Sequence, residues 1–160
     1  MIRVFIEAEA GSREKHMYDE ATLKPKGVRR ACRPYPYPYG FVVGTAGGAQ
    51  DEGDGLDCYV ITARRPRAGA TVECEPAGLL EMTEDGEPDH KLLAVDPGSE
   101  IAIAESVADE LRDFIYGVFS RYPEVRVEVG RRLPRQAALD LLAARLEGSA
   151  RAAGSAAPRR

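Results

Sequence analysis

Apolar and polar residues alternate at the start of the chain. Apolar side chains occupy every even position from Ile2 to Ala8, which predicts a half-buried strand. Five further short apolar runs, separated by glycine-rich or proline-rich segments, are also predicted as strands: residues 58–62, 71–75, 78–82, 92–95 and 125–129. Many short strands with irregular connections indicate a β-rich α+β fold built on a small barrel or curled sheet.

Two later segments have the apolar spacing of helices. A continuous stripe over residues 106–122 predicts the first helix. The second is predicted from Pro134 to Glu147, because proline suits a first helical turn and Gly148 suits an end. Residues 148–160 are small and polar. We therefore expect one folded domain over residues 1–147, with helices against the sheet, and a disordered tail after it.

Composition and charge narrow the classes of function. The 160 residues are 44% hydrophobic with a net charge of -4, which fits one globular domain and disfavours a nucleic-acid partner. No apolar run reaches the ~18 residues of a membrane span, and the N-terminus does not resemble a secretory signal. The three cysteines lack metal-like spacing. We expect a cytoplasmic protein with reduced thiols and no membrane partner.

Two acidic loops carry the candidate chemistry. The first, residues 51–57, places four carboxylates within seven residues and includes two glycines. The second, residues 84–89, lies between two predicted strands. Converging carboxylates suit a hard cation such as Mg²⁺. Each loop alone could equally be a solvated surface turn, but the pair, with Glu7 on the first strand, indicates a site for several metal ions.

Basic and phenolic residues complement these loops. The cations are Lys15, Arg29, Arg30, Arg33 and Lys91, and tyrosines alternate with prolines over residues 34–39. Lys, Arg and Tyr donors opposite a metal suit a phosphate ester or anhydride. The alternative for the tyrosine run is a polyproline-like segment that packs its rings into the core.

Four ordered motifs resemble those of soluble family I inorganic pyrophosphatases. They are IEAEAGSREKHMYD from residue 6, YPYPYGFVVGT from residue 35, EGDGLDCYV from residue 52 and CEPAGLLEMTEDGEPDHKLLAV from residue 74. The resemblance covers roughly residues 4–122. It implies a five-stranded, OB-like distorted barrel with flanking helices, a homo-oligomer that is usually a hexamer in bacteria, and Mg²⁺-dependent hydrolysis of pyrophosphate to two phosphates.

The resemblance also implies roles for individual residues. Glu52, Asp57 and Asp89 should hold two Mg²⁺ ions, and Asp54 should orient or deprotonate the water. A metal that arrives with the substrate should meet Glu84 and Asp85, with Glu7 farther out. The phosphates should be held by the remaining group: Lys15, Arg29 or Arg30, Tyr39, Lys91 and Tyr122.

Several positions depart from the family pattern. Glu52 replaces an aspartate, Gly55 a proline and Met17 a glutamate, and Pro123 stands where a phosphate-binding lysine is expected, with Arg121 as a candidate replacement. Two alternatives therefore stand beside an active pyrophosphatase. One is a weakened paralogue that binds metal-pyrophosphate or a nucleotide, and the other is a phosphohydrolase with a changed substrate.

Overall fold

A computed structural model describes residues 1–47, 53–100 and 102–155. Its elements follow the chain in this order: β1 Ile2–Ala8, β2 Glu14–Tyr18, β3 Pro25–Arg30, β4 Tyr39–Val42, β5 Asp57–Ile61, β6 Thr71–Glu84, β7 Glu87–Pro88, β8 Lys91–Val95, α1 Glu105–Phe119, β9 Val127–Pro134 and α2 Arg135–Ser155. All the strands belong to one sheet.

Five strands of this sheet close into a ring. The order is β1–β4–β5–β8–β6, and β6 returns to pair with β1. Only β5 and β8 run parallel within the ring. Irregular registers in β1–β4 and β6–β8 bend the strands, as β-bulges do. The ring is a distorted barrel, so the predicted OB-like class with flanking helices is confirmed.

The strands of the ring are buried on both faces. In β5, Cys58 and Val60 pack into the core cluster that includes residues of α2, whereas Tyr59 and Ile61 pack into the cluster that includes residues of α1. Successive side chains of a strand point to opposite faces. The unbroken apolar runs of β5 and β8 therefore reflect a sheet covered by a helix on each side.

The predicted strands and helices are present, with three differences. The runs at 71–75 and 78–82 form one strand, β6, which passes Pro76 through a bulge before Gly78. The strands β2, β3, β4 and β7 were not predicted. Finally, α2 continues past Gly148 to Ser155, so the predicted helix end and the predicted start of a disordered tail differ from the structure. Alanine-rich sequence favours a helix enough to offset Gly148 and Gly154, each of which costs about 1 kcal/mol.

Close strand approach explains one glycine near the site. A side chain at Gly40 in β4 would collide with the backbone carbonyl of Phe5 in β1. Gly40 follows Tyr39, so the strands approach closely next to Tyr39 at the start of β4. Among the described residues, no helix is both long and apolar enough to cross a membrane.

Candidate active site

A buried lysine joins two carboxylates at the start of the parallel strand pair. Asp57 is the first residue of β5 and Lys91 is the first of β8, and the register that follows pairs Cys58 with Leu92. Lys91 Nζ donates to Asp57 Oδ2 at 2.5 Å and to Asp89 Oδ2 at 2.9 Å. The lysine is only 5% exposed. Strand pairing therefore brings the two acidic loops to one point.

The charges of this triad stabilise one another. Burial alone would raise the pKa of Asp57, but Lys91, Lys15 and hydrogen bonds from Lys91 and Tyr39 together lower it below its ordinary value. Burial alone would lower the pKa of Lys91, but Asp57 and Asp89 raise it above the ordinary lysine value. Asp57 and Lys91 therefore stay ionised near neutral pH.

Two donors from other strands border Asp57. Tyr39 is buried, and its hydroxyl donates to the Asp57 carboxylate. Lys15 lies on β2 with its Nζ 5.3 Å from the centroid of the Tyr39 ring, which is a cation–π distance. These two residues, predicted to contact phosphate, thus lie beside Asp57 in the structure.

Glu7 adds a buried carboxyl group near the end of β1. Its side chain is 3% exposed, and its Oε1 has no hydrogen-bond partner among the described residues. Its pKa is raised to about 7, chiefly by burial, with Lys15 lowering it and the nearby Asp57, Glu20 and Asp54 carboxylates contributing to the rise. Such an oxygen needs either a proton or a cation.

The loop between β4 and β5 carries Asp54 and is held by side chains. The Thr45 hydroxyl donates to Val42 O at 2.6 Å and accepts from Leu56 N at 2.9 Å. Arg145 Nη1, on α2, donates to Asp54 O at 3.2 Å. The Asp54 residue itself is exposed. The Asp54 backbone is therefore held by α2, although the residue is exposed. Glu52, predicted as a metal ligand, lies outside the described residues.

The second acidic loop separates its two candidate ligands. Glu84 shares a hydrogen bond with Asp89, and burial together with Asp89 raises the Glu84 pKa. Asp85 instead accepts a hydrogen bond from Arg126 N at 2.9 Å and donates its own N–H to Arg126 O. The structure thus brings Glu84 to Asp89, whereas the Asp85 carboxylate binds the segment before β9.

The two candidate arginines of β3 lie on different faces. Arg29 is opposite Lys15 in the β2–β3 register, and directly opposite residues share a face. Arg30 instead lines a cavity of about 510 Å³ together with Arg13, Arg121 and Tyr122. We call the space that these four residues line the arginine cavity. Arg30, Arg121 and Tyr122 are therefore neighbours, and Arg29 is on the side of Lys15.

Comparison with known proteins identifies the family of this chain. The family model for inorganic pyrophosphatase matches residues 4–144, which include every described candidate residue. The chain belongs to the inorganic pyrophosphatase family. Among its relatives, the inorganic pyrophosphatase of Sulfolobus acidocaldarius is 32% identical over 78% of this chain and 75% of its own length. That of Nostoc is 33% identical over 81% of this chain and 78% of its own.

Solved structures of the family share the fold. The inorganic pyrophosphatase from Thermus thermophilus superposes with a TM-score of 0.79 and 26% identity, over 92% of this chain and 90% of that chain. A structure from Anaplasma phagocytophilum, described as an inorganic phosphatase, has a TM-score of 0.80 at 23% identity, covering 92% of both chains, and supports the fold alone.

The inorganic pyrophosphatase family implies a divalent metal cofactor, and the residues present suit one. Within residues 1–47, 53–100 and 102–155, no three acidic, histidine or cysteine side chains already converge as a metal cage. Lys91 instead neutralises Asp57 and Asp89. The donors, however, are all carboxylates, which hard cations prefer. The buried, unpartnered Glu7 Oε1 adds an oxygen that a cation would satisfy, so the site fits a divalent ion.

Two residues near this candidate site were missed by sequence reasoning. Glu20, in the β2–β3 turn, accepts a hydrogen bond from Gly55 N at 2.6 Å. Arg145 reaches Asp54 from α2 and is 8% exposed. Apart from its charge, nothing in the sequence around Glu20 indicates a role in the site. Arg145 could have been found, because it occupies an apolar position of the α2 stripe and a buried arginine needs a partner.

Proposed function

We propose that this chain hydrolyses inorganic pyrophosphate to two phosphates with Mg²⁺ as its metal. The observation that carries the proposal is the triad in which Lys91 joins Asp57 to Asp89, beside the exposed Asp54. Membership of the inorganic pyrophosphatase family supports the same reaction. When bound, Mg²⁺ would lower the pKa of the attacking water and offset charge on the phosphate oxygens.

Asp54 is proposed as the general base. The residue is exposed to the solvent that supplies the water, and its backbone is held by Arg145. A base that is both accessible and held in place can take a proton as the water attacks phosphorus. Asp54 keeps that proton while the water oxygen forms the new P–O bond, the bridging P–O bond of pyrophosphate breaks and the second phosphate departs.

The metal ligands are proposed from the carboxylates around Asp57. Asp57 and Asp89 would hold the metal pair, with Glu52 from the adjoining segment. Glu84 would hold a metal carried by the substrate because it faces Asp89, whereas Asp85 is a weaker candidate because its carboxylate binds Arg126 N. Glu7 would contribute its buried oxygen from β1.

The phosphate-binding residues fall into two groups. Lys15, Tyr39 and Lys91 lie around Asp57 and would stabilise charge on the phosphate under attack. Arg29 on β3 lies directly opposite Lys15 on β2 and shares its face of the strand pair. Arg30 and Tyr122 would hold the leaving phosphate in the arginine cavity, where Arg121 supplies the cation absent at Pro123. Guanidinium groups are well suited to phosphate.

We also propose a cytoplasmic homo-oligomer, and specifically a hexamer. The family resemblance suggests this assembly. Two exposed leucines of α2, Leu139 and Leu146, lie seven positions apart and so share one helix face, which would suit a contact between copies. Light scattering on the purified protein measures the mass directly. A monomeric mass at micromolar concentration would contradict this assembly.

The proposed reaction is tested by phosphate release with excess Mg²⁺ from three substrates: pyrophosphate, tripolyphosphate and ATP. We expect kcat/KM for pyrophosphate to exceed that for either larger substrate by at least about tenfold. This ratio corresponds to a difference of about 1.4 kcal/mol in activation free energy. Preference for either larger substrate would favour the altered phosphohydrolase. Tight binding of pyrophosphate by calorimetry without any release would favour a binding paralogue.

A further inference from the structure

The β2–β3 turn delivers a carboxylate to the acidic loop. Asp19 holds this turn, because its Oδ1 accepts from Ala21 N at 3.0 Å and from Thr22 N at 2.8 Å. Glu20 lies next to this anchor and reaches across to Gly55, whose N–H it accepts at 2.6 Å. The bond joins positions 35 residues apart. Glu20 therefore lies against the loop that carries Asp54 and Asp57.

Glu20 is surrounded by like charges. It is half-buried, and burial raises its pKa, the Gly55 N–H lowers it, and Asp57 and Asp54 raise it again. Lys15 is the cation that most lowers the pKa of Glu7, and it also lowers that of Glu20. The Glu20 position therefore adds negative charge where Asp54, Asp57 and Glu7 already repel one another. A structural hydrogen bond to one N–H does not require a charged side chain.

A second observation indicates what balances this charge. Glu7 Oε1 is buried within the same field and has no hydrogen-bond partner among the described residues. Its side chain is 97% removed from solvent, as the 3% exposure shows. An oxygen in this state is satisfied by a proton or by a cation. Glu7 on β1 and Glu20 in the β2–β3 turn both interact electrostatically with Asp54 and Asp57.

We propose that Glu20 is a cation-binding carboxylate of this site, supplied by the β2–β3 turn: one oxygen anchors Gly55 N, and the other, with Glu7 and Asp57, receives a divalent cation. The proposal relies on the proposed function for the identity of the site as a metal centre. It assigns to Glu20 a role that none of the sequence motifs gives it.

The substitution Glu20→Gln separates the two roles of this side chain. Glutamine keeps an oxygen that accepts from Gly55 N–H, but it removes the charge. The matched control is Glu73→Gln, because Glu73 is exposed near the start of β6, and the Glu73 side chain has no described ion pair or hydrogen bond. Both variants and the parent chain are titrated with Mg²⁺ alone by calorimetry, without pyrophosphate.

We expect Glu20→Gln to weaken Mg²⁺ affinity about tenfold or more, in the range seen when supporting residues of metal sites are lost. Glu73→Gln should match the parent. As a second measurement, thermal unfolding in EDTA should show Glu20→Gln to be no less stable than the parent, and added Mg²⁺ should raise its Tm by less. Mg²⁺ affinity and Tm shift equal to those of the parent would overturn the proposal.

The outcome is distinguishable from failure of the proposed function. If Glu20→Gln weakens Mg²⁺ binding while the parent releases no phosphate from pyrophosphate, the cation role of Glu20 holds and the hydrolase proposal fails. If the parent hydrolyses pyrophosphate while Glu20→Gln binds Mg²⁺ as the parent does, only the role of Glu20 fails.

Discussion

The acidic cluster and the arginine cavity are built differently. The acidic cluster consists of Glu7, Glu20, Asp54, Asp57 and Asp89 around Lys91. Lys91 and Glu7 are almost fully buried, and hydrogen bonds from several strands hold the cluster together. In the arginine cavity, by contrast, Arg13, Arg30, Arg121 and Tyr122 are all exposed.

In the proposed function, this difference separates chemistry from substrate binding. Fixed charges in a buried setting lose no energy in reorganising when the reaction begins. Exposed arginines can adapt to a phosphate and release it again, but each hydrogen bond to solvent-exposed groups contributes little. We therefore expect changes in the acidic cluster to alter stability and kcat, and changes in the arginine cavity to alter KM.

The largest expected effect on stability is at Lys91. Lys91→Met leaves Asp57 and Asp89 facing each other without their shared cation, and breaking a buried ion pair in this way costs about 3–5 kcal/mol. Urea unfolding in EDTA measures the loss. Added Mg²⁺ should restore part of it, because a metal ion replaces the missing positive charge.

The control for Lys91 is Lys26→Met on β3, where the lysine is exposed. Its effect on the free energy of unfolding should stay within about 0.5 kcal/mol. Equal losses at the two lysines would show that the acidic cluster is not held together by Lys91, and the contrast between the two regions would fail.

The pH dependence of the metal-free protein tests Glu7 next. Its pKa is raised from 4.5 to about 7 on folding, so the folded state binds the proton more tightly. This stabilisation is complete below pH 4.5 and is lost as pH rises through about 7. The loss amounts to at most about 3 kcal/mol.

Because glutamine does not titrate, the free energy of unfolding of Glu7→Gln should depend less steeply on pH than that of the parent chain. Unfolding curves measured in EDTA between pH 5 and 8 give the comparison directly. A slope that is unchanged in the variant would mean that another group carries the pH dependence and that Glu7 is not the buried acid of the cluster.

The smallest expected effect is at Arg121 in the arginine cavity. Arg121→Gln removes one charged phosphate donor, but solvent reduces its contribution, so we expect KM for pyrophosphate to rise about fivefold with kcat nearly unchanged. Steady-state kinetics measures both. Arg131→Gln is the control, since Arg131 is also exposed. A fall in kcat without a change in KM would place Arg121 in the chemistry instead.

Much of the acidic cluster could be predicted from sequence because its residues lie in motifs. Asp57 and Asp89 were predicted together with Lys91, and the parallel pairing of β5 and β8 explains why they meet. Glu20 could not be found in this way, because its contact with Gly55 depends on the shape of a turn 35 residues away. Gly55 stands where the family pattern has a proline. The structure gives this difference a consequence, since proline has no N–H to donate to Glu20.

The fold was predictable where burial leaves a pattern. The runs that became β5 and β8 are apolar throughout because both faces are covered. In β3 all six residues are exposed, so no hydrophobic period marks the strand. The extension of α2 past Gly148 was missed because glycine is more often a helix end than an interior residue.

The central claim is that the acidic cluster activates water for attack on pyrophosphate, with Asp54 as the base. The direct measurement is the rate of phosphate release at saturating pyrophosphate and Mg²⁺ for the parent chain and for Asp54→Asn. We expect kcat to fall about 10²–10⁴-fold, with Tm and Mg²⁺ affinity little changed because Asp54 is exposed. A variant that releases phosphate as fast as the parent would contradict the account.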